Sequence, residues 1–385
     1  MAWKTVRADE FCSFVTDGTH DSPKPQSQGR RLITSKHLKG DYIDFDSANW
    51  ISEGDYQKII ARSAVEQWDI LFSMIGTIGT IYLEKNPIVE YACKNMGVFK
   101  FAGNAENAFW MYYYLKSPQA KEYIQSHLRG STQAYVPLGS LREMPVSIPD
   151  RETRNRIVSL LKPLDEKIAT NRAINDNLAD LLQTVYQERF GDTSFVANQG
   201  GLSDICSYSR NKVAVSELNV STYFSTENML SGKAGSIEAT SFPTTPQTTA
   251  CHKGDTLVSN IRPYFKKIVY CEDACGCSTD VLCFTPSQSK YSAYLFSTLY
   301  SDKFFAFMVA GSKGTKMPRG DKWQIMTYPV VLPSETALDE FNAIALPIIE
   351  QIYSNRAENK RLSLLRDTLL PKLMSGEIDV SAVRL

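Results

Sequence analysis

The chain repeats itself. Pro163-Leu-Asp-Glu-Lys-Ile-Ala-Thr-Asn-Arg-Ala-Ile-Asn-Asp-Asn-Leu178 aligns without a gap with Pro347-Ile-Ile-Glu-Gln-Ile-Tyr-Ser-Asn-Arg-Ala-Glu-Asn-Lys-Arg-Leu362, at an offset of 184. The match continues through Leu181/Leu365 and Thr184/Thr368. Upstream, Gly130-Ser131 and Pro137-Leu138-Gly139 answer Gly311-Ser312 and Pro318-Arg319-Gly320 at an offset of 181, and Asp69–Ser73 answers Asp255–Ser259 at 186. A period of roughly 180 residues is far too long for a solenoid, so the pattern predicts a duplicated domain.

Both repeated tails read as helices. In the first, Ile157, Leu161, Leu164, Ile168, Asn171, Asn175, Leu178, Leu182 and Val185 alternate spacings of four and three, a heptad seam. The second carries Phe341, Ala345, Ile348, Ile352, Asn355, Asn359, Leu362 and Leu369, interrupted by Arg366. Proline removes a helical donor and clashes with the preceding turn, so a kink or a fresh start is predicted at Pro163 and Pro347, a short helix then a long one. Asparagine on an apolar seam costs stability but fixes register. If the helices run antiparallel about a pseudo-two-fold axis, the four amides of Asn171, Asn175, Asn355 and Asn359 can meet at its centre; the alternative is that they face solvent at a seam's edge.

The remainder, 1–150 and 193–333, is rich in Gly, Ser, Thr and aromatics, with short apolar runs such as Ile70–Ile75 and Thr256–Ile261 between turn signals. The predicted fold class is therefore α+β: two globular domains (1–150 and 193–333), each followed by a helix (151–192 and 334–376), a tail at 377–385, and the helices paired as an antiparallel coiled coil. Net charge is zero. The helical segments are slightly acidic, which leaves about three positive charges on the globular halves, a faint sign of a polyanionic partner. Eight cysteines at irregular spacing, no apolar opening run and no stretch near the roughly 20 residues that span a bilayer lead us to expect a cytoplasmic protein with reduced thiols and no membrane partner.

The order domain, helix, domain, helix resembles the specificity (S) subunit of Type I restriction–modification systems over essentially the whole chain. The resemblance rests on Asp17-Gly-Thr-His20, Leu32-Ile-Thr-Ser-Lys36 and Asp69–Gly79 in the first repeat. In the second it rests on Tyr223–Met229, Gly254–Phe265 and Cys277-Ser-Thr-Asp280, with Leu369–Glu377 as the ending. It implies two target-recognition domains reading a split, asymmetric double-stranded DNA sequence. It also implies helices that set the gap and bind two modification (M) subunits, which methylate adenine with S-adenosylmethionine, and restriction (R) subunits completing the nuclease. No cofactor is implied for this chain. A helix from Pro163 to Arg189 would measure roughly 40 Å, close to one DNA turn of ~34–36 Å.

Lys and Arg hold phosphates, whereas Arg, Lys, Asn, Gln, Ser and Thr read base edges. DNA-contact candidates in the first domain are Arg30, Arg31 and Lys36 in a basic loop, and Arg129, Ser131, Thr132, Gln133 and Tyr135, where small residues permit close approach. In the second domain they are Arg210 and Lys212, Arg262, Tyr264 and Lys266, and Lys313, Lys316 and Arg319. Solvated loops are the alternative for each cluster. The helix-interface candidates are Leu164, Ile168, Asn171, Asn175, Leu178, Leu182, Ile348, Ile352, Asn355, Asn359 and Leu362.

Catalytic patterns are weak. Pro149-Asp150 with Asp165-Glu-Lys167 imitates a metal-nuclease signature, but Asp165 and Lys167 fall on the predicted helix and the second copy has Ser334 and Ile349-Glu-Gln351 there. Cys271, Cys275 and Cys277 with Cys251 and His252 lack paired zinc spacing, so no metal is expected. No phosphate-binding GxxxxGK[ST] loop occurs, and Arg262-Pro-Tyr-Phe265 only echoes a methyltransferase tetrad. A coiled-coil adaptor that binds proteins instead of DNA is the competing class.

Overall fold

The computed structural model describes residues 3–191, 198–381 and 383. The expected boundary at 192/193 lies outside them, as does part of the tail. The chain divides into two compact units, Met1–Thr170 with Glu358–Leu385, and Asn171–Ala357, so each unit takes part of both long helices.

In the first unit an antiparallel sheet runs in the order Phe14–Asp17, Met96–Lys100, Ile70–Ser73, Ile81–Leu83. Its central strand Ile70–Ser73 is buried at every position, as expected of a short apolar run covered on both faces. A second sheet pairs Arg30–Ile33 with Asn49–Ile51 (antiparallel) and Tyr91–Cys93 (parallel). Helices Ala105–Lys116 and Pro118–Ser126 cover the first sheet; Asn104 and Ser117 cap them by accepting from the amides of Asn107 and Ala120.

The second unit repeats the plan. Cys206–Tyr208, Val281–Pro286, Thr256–Ser259 and Ile268–Tyr270 form the antiparallel sheet, with Thr256–Ser259 buried throughout. Thr256 pairs with Phe284 as Ile70 pairs with Phe99. Helices Ser292–Tyr300 and Asp302–Ala310 stand where the first unit has its helical pair.

The long helices run Arg151–Phe190 and Glu335–Ser375. Asp150 and Ser334, repeat equivalents, cap them by accepting from the amides of Thr153 (2.9 Å) and Ala337 (3.2 Å). The expected break at the prolines does not occur: helix continues through Pro163 and Pro347. One lost hydrogen bond is offset by burial of the flanking residues, Leu161 in one unit and Ala345, Ile348 and Ile349 in the other.

Within each unit the helix segments are antiparallel. In the second, Asn355 Nδ2 donates to Asn175 Oδ1 (2.8 Å), Arg189 pairs with Glu340 (2.9 Å), and Tyr186 and Phe190 pack on Phe341. In the first, Arg366 pairs with Asp165 (2.7 Å) and Lys167 with Glu358 (3.3 Å). Asn175 Nδ2 donates to the Ile352 carbonyl, and Asn359 Nδ2 to that of Ile168, each at 3.3 Å; at an offset of 184 these are one bond made twice. Ile168, Asn171, Asn175, Leu182, Ile348, Ile352 and Asn355 are buried; Leu164, Leu178, Asn359 and Leu362 are half-buried.

These helices are not detachable rods. Ile157, Leu161, Leu370 and Leu373 join Trp110 and Phe99 in the first core; Leu182, Phe341, Ile348 and Ile352 join Tyr294 and Phe304 in the second. Among the described residues no helix is long and apolar enough to cross a membrane.

Candidate nucleic-acid interface

Each unit carries the same device at one end of its central strand. A carboxylate precedes the strand: Asp69 Oδ2 accepts from the Glu66 amide and Asp255 Oδ2 from the His252 amide, both at 2.8 Å. A serine ends it: Ser73 Oγ donates to the Ile75 carbonyl (3.0 Å) and Ser259 Oγ to that of Ile261 (3.2 Å). The chain then turns into a loop, 74–79 in one unit and 260–265 in the other.

A hairpin docks on that loop. In the first unit Arg129 and Tyr135 exchange both main-chain bonds at 2.9 Å, and the Val136 amide donates to the Met74 carbonyl. In the second, Lys313 and Arg319 exchange the same two bonds at 2.9 Å, and Gly320 donates to Asn260. Gly130 (φ 89°) and Gly314 (φ 100°) make the turns, a conformation other residues rarely hold. These bonds correct the sequence alignment: the hairpins correspond at 184, the offset of the helices, and the 181 pairing of Gly130 with Gly311 is out of register. Gly-Ser is a shared dipeptide, whereas the shared geometry is the glycine after Arg129 and after Lys313.

On this frame the side chains differ. The first unit presents Ser131, Thr132, Gln133 and Tyr135, all exposed, beside Gly76, Thr77 and Gly79. Thr77 Oγ1 donates to the Ser35 carbonyl (3.3 Å), which brings the exposed Lys36 to the same loops. The second unit presents Lys316, Met317 and Arg319 beside Arg262, Tyr264 and Phe265. The Arg262 amide donates to Pro318 (2.8 Å) and its guanidinium to the Lys316 carbonyl (3.4 Å), so loop and hairpin form one surface. Arg262 and Lys266 are held at φ 50°, left-handed backbone that costs non-glycine residues energy and recurs at functional loops.

The other sequence candidates stand elsewhere. Arg30 is clasped by Glu53 (3.1 Å) and Glu90 over the Tyr56 ring, and Arg31 stacks on Trp50 (3.6 Å) while donating to the Ala48 carbonyl. Both guanidinium groups thus serve their own sheet. Lys266 pairs with Asp302 at 3.0 Å. Arg210 and Lys212 are exposed at the edge strand Lys212–Ala214 of a separate sheet, outside the loop–hairpin surface.

Acidic partners were not read from the sequence. Asp280 holds Arg319 (3.1 Å) and Asp321 holds Lys313 (2.6 Å); the Lys313 ammonium lowers the Asp321 carboxyl below its usual range. His20 orders its turn, with Nε2 on Asp17 Oδ2 and Nδ1 on Asn95 Oδ1, both 2.8 Å. Asp165 belongs to a part-buried network with Arg366 and Lys116, and Asp150 is a helix cap; the nuclease-like pattern is therefore two structural acids. All eight cysteines are free and buried, and no metal-holding cluster occurs among the described residues.

One hydrogen-bonded frame, used twice, thus presents two unlike loop sets. Residues 3–179 match the family model described as the Type I restriction modification DNA specificity domain. The chain is 21% identical over 384 residues to the MjaIX Type I restriction enzyme specificity subunit of Methanocaldococcus jannaschii, covering 90% of this chain and 86% of that one. It is 29% identical over 149 residues to the HindI specificity subunit of Haemophilus influenzae, a match spanning 37% of this chain and about a third (32%) of that relative. The S subunit crystal structure from M. genitalium has the same fold, with a TM-score of 0.57 at 16% identity and 96% coverage of both chains. Over residues 3–179 the chain is thus similar to the Type I restriction–modification DNA specificity domain, and both the MjaIX and the HindI relatives are Type I specificity subunits.

Proposed function

We propose that this chain reads a bipartite, asymmetric target on double-stranded DNA, one half-site per unit, and makes no covalent chemistry itself. The observation that carries this reading is the loop–hairpin surface: one hydrogen-bonded frame, present twice, with Ser131-Thr132-Gln133 on one copy and Lys316, Arg319 and Arg262 on the other. Short polar side chains suit base edges approached closely; cationic ones suit phosphates and guanine. Two unlike surfaces call for two unlike half-sites.

The helices carry the second part of the function, recruitment of two M subunits, with R subunits completing the enzyme and S-adenosylmethionine bound in the M subunits. Repeat-equivalent Leu181 and Leu365 support this: both are apolar and close to half exposed, at 48% and 47%. Equivalent apolar positions on the two repeats suit two identical partners.

The test is a genome-wide map of N6-methyladenine in cells expressing the chain with its neighbouring methyltransferase. A new motif of two unlike short blocks around a fixed gap is expected. No new motif, with the methyltransferase present and active beside another S subunit, would leave the protein-binding adaptor as the better account.

A further inference from the structure

The most exposed large apolar side chain among the described residues is Trp323, at 88% of its free surface. It is the second residue of the short helix Lys322–Met326, which follows the second unit's hairpin. Its place is fixed by the hairpin's own electrostatics. Asp321 Oδ2 takes the Lys313 ammonium (2.6 Å) while Oδ1 accepts from the Trp323 amide (3.0 Å). One carboxylate thus anchors both the basic stem and the start of the helix. Lys322 beside it is exposed, as are Lys316 and Met317 on the hairpin. At the offset of 184 shown by the hairpin bonds, the first unit has Gly139 here, and no atom stands within 4 Å of where its Cβ would be. The position opens to solvent in both repeats, and only the second fills it, with an indole.

An isolated exposed aliphatic side chain needs no explanation. A nearly naked indole beside Lys322, on a helix tied through Asp321 to the Lys313 stem of a hairpin that also carries Lys316 and Arg319, does, because such a surface suits a polyanion that also offers apolar sugar and base-edge surface. Resting on the reading above, we propose that Trp323 is a DNA contact of the second half-site, with its indole packed on deoxyribose and base surface beside phosphates held by the hairpin lysines. The first half-site has no counterpart, so the two halves are gripped by different chemistry: polar side chains and Tyr135 on one, cations with an indole on the other.

The experiment uses the full chain assembled with its methyltransferase, and duplex DNA carrying the motif found by the methylation map. Large aromatic anchors are among the interface side chains whose truncation costs most, so Trp323→Ala is expected to raise Kd about tenfold. An apolar contact releases no counterion. The slope of log K against log salt should therefore stay unchanged for Trp323→Ala, whereas Lys316→Ala should lower it by about one. Trp323→Phe should keep most of the affinity. Unchanged Kd for Trp323→Ala, with Lys316→Ala still weakening binding, overturns this inference and leaves the proposed function standing. Weakened methyltransferase assembly at unchanged DNA affinity also overturns it, since the indole would then cover protein. If neither variant weakens binding, the assignment of the hairpin to DNA falls as well.

Discussion

Asp165, Arg366 and Lys116 show how far one residue's meaning depends on its neighbours. Arg366 breaks the apolar seam in the sequence; in the fold its guanidinium meets Asp165 at 2.7 Å, and Lys116 approaches the same carboxylate at 3.5 Å. Burial pulls the Lys116 ammonium down to about 8 against the help of Asp165. Burial also opposes ionisation of Asp165, but the Lys116 charge and the Arg366 bond overcome it and hold the carboxyl below its usual range. The signs follow by linkage. Lys116 is less basic folded than unfolded, so stability rises as pH climbs from about 8 towards the unfolded value of roughly 10.4. Asp165 contributes stability above its unfolded pKa that is lost as pH falls through its lowered folded value. Burial pushes the Cys12, Cys93 and Cys206 thiols up, which lowers stability over the same range, so the check is relative: the melt of the chain minus that of Lys116→Met should grow from pH 8 to 10, and a constant difference would refute it. Asp165→Asn should destabilise by about 2–3 kcal/mol at pH 7, because it strands two cations in a part-buried site; a melt within error of the parent would refute the network's role. The sequence shows Arg366 only as an interruption and Asp165 only as part of a false nuclease motif, and nothing in it singles out Lys116. Their pairing joins positions 49 and 201 residues apart, which no local pattern encodes.

At the level of elements, the helices were legible because seam periodicity is a local signal, whereas their caps, Asp150 and Ser334, were seen only in the structure. The prolines misled, since proline's penalty is local while the burial that overrides it is tertiary. The hairpins were found by their glycines but three residues out of register, because the main-chain bonds that define them leave no trace in side-chain identity. Two expectations separate the helix faces. Leu161→Ala and Leu182→Ala remove side chains from the two cores, and each should cost about 2–5 kcal/mol by denaturant unfolding. Leu181→Asp and Leu365→Asp lie on the outer face; each should leave the melt near that of the parent and lower the number of M subunits bound, measured by native mass. Full two-subunit assembly in both variants would rule that face out as the docking surface.

For the whole molecule, the repeat was the most legible feature: duplication, fold class and family resemblance all follow from it and the motifs it carries. Which cations stand on the loop–hairpin surface was not legible, because Arg30 and Arg31 look like Arg262 and Arg319 until their partners are seen. The first pair is clasped by Glu53, Glu90 and Trp50; the second stands on that surface. Adding one helical turn of four residues at equivalent points of both helices, after Ala173 and Ala357, should keep both half-sites and lengthen the gap by about one to two base pairs. Methylation mapping reads the result, and an unchanged gap would show that the helices do not set it.

The hairpins proposed to read DNA are closed by main-chain groups, at Arg129/Tyr135 and Lys313/Arg319. Natural selection can therefore rewrite residues 131–134 and 315–318 almost letter by letter, at little risk to folding. On that proposal, a lineage that held its glycine turns fixed could change its address within a few substitutions, and two related strains could come to read different DNA while their proteins remained superimposable.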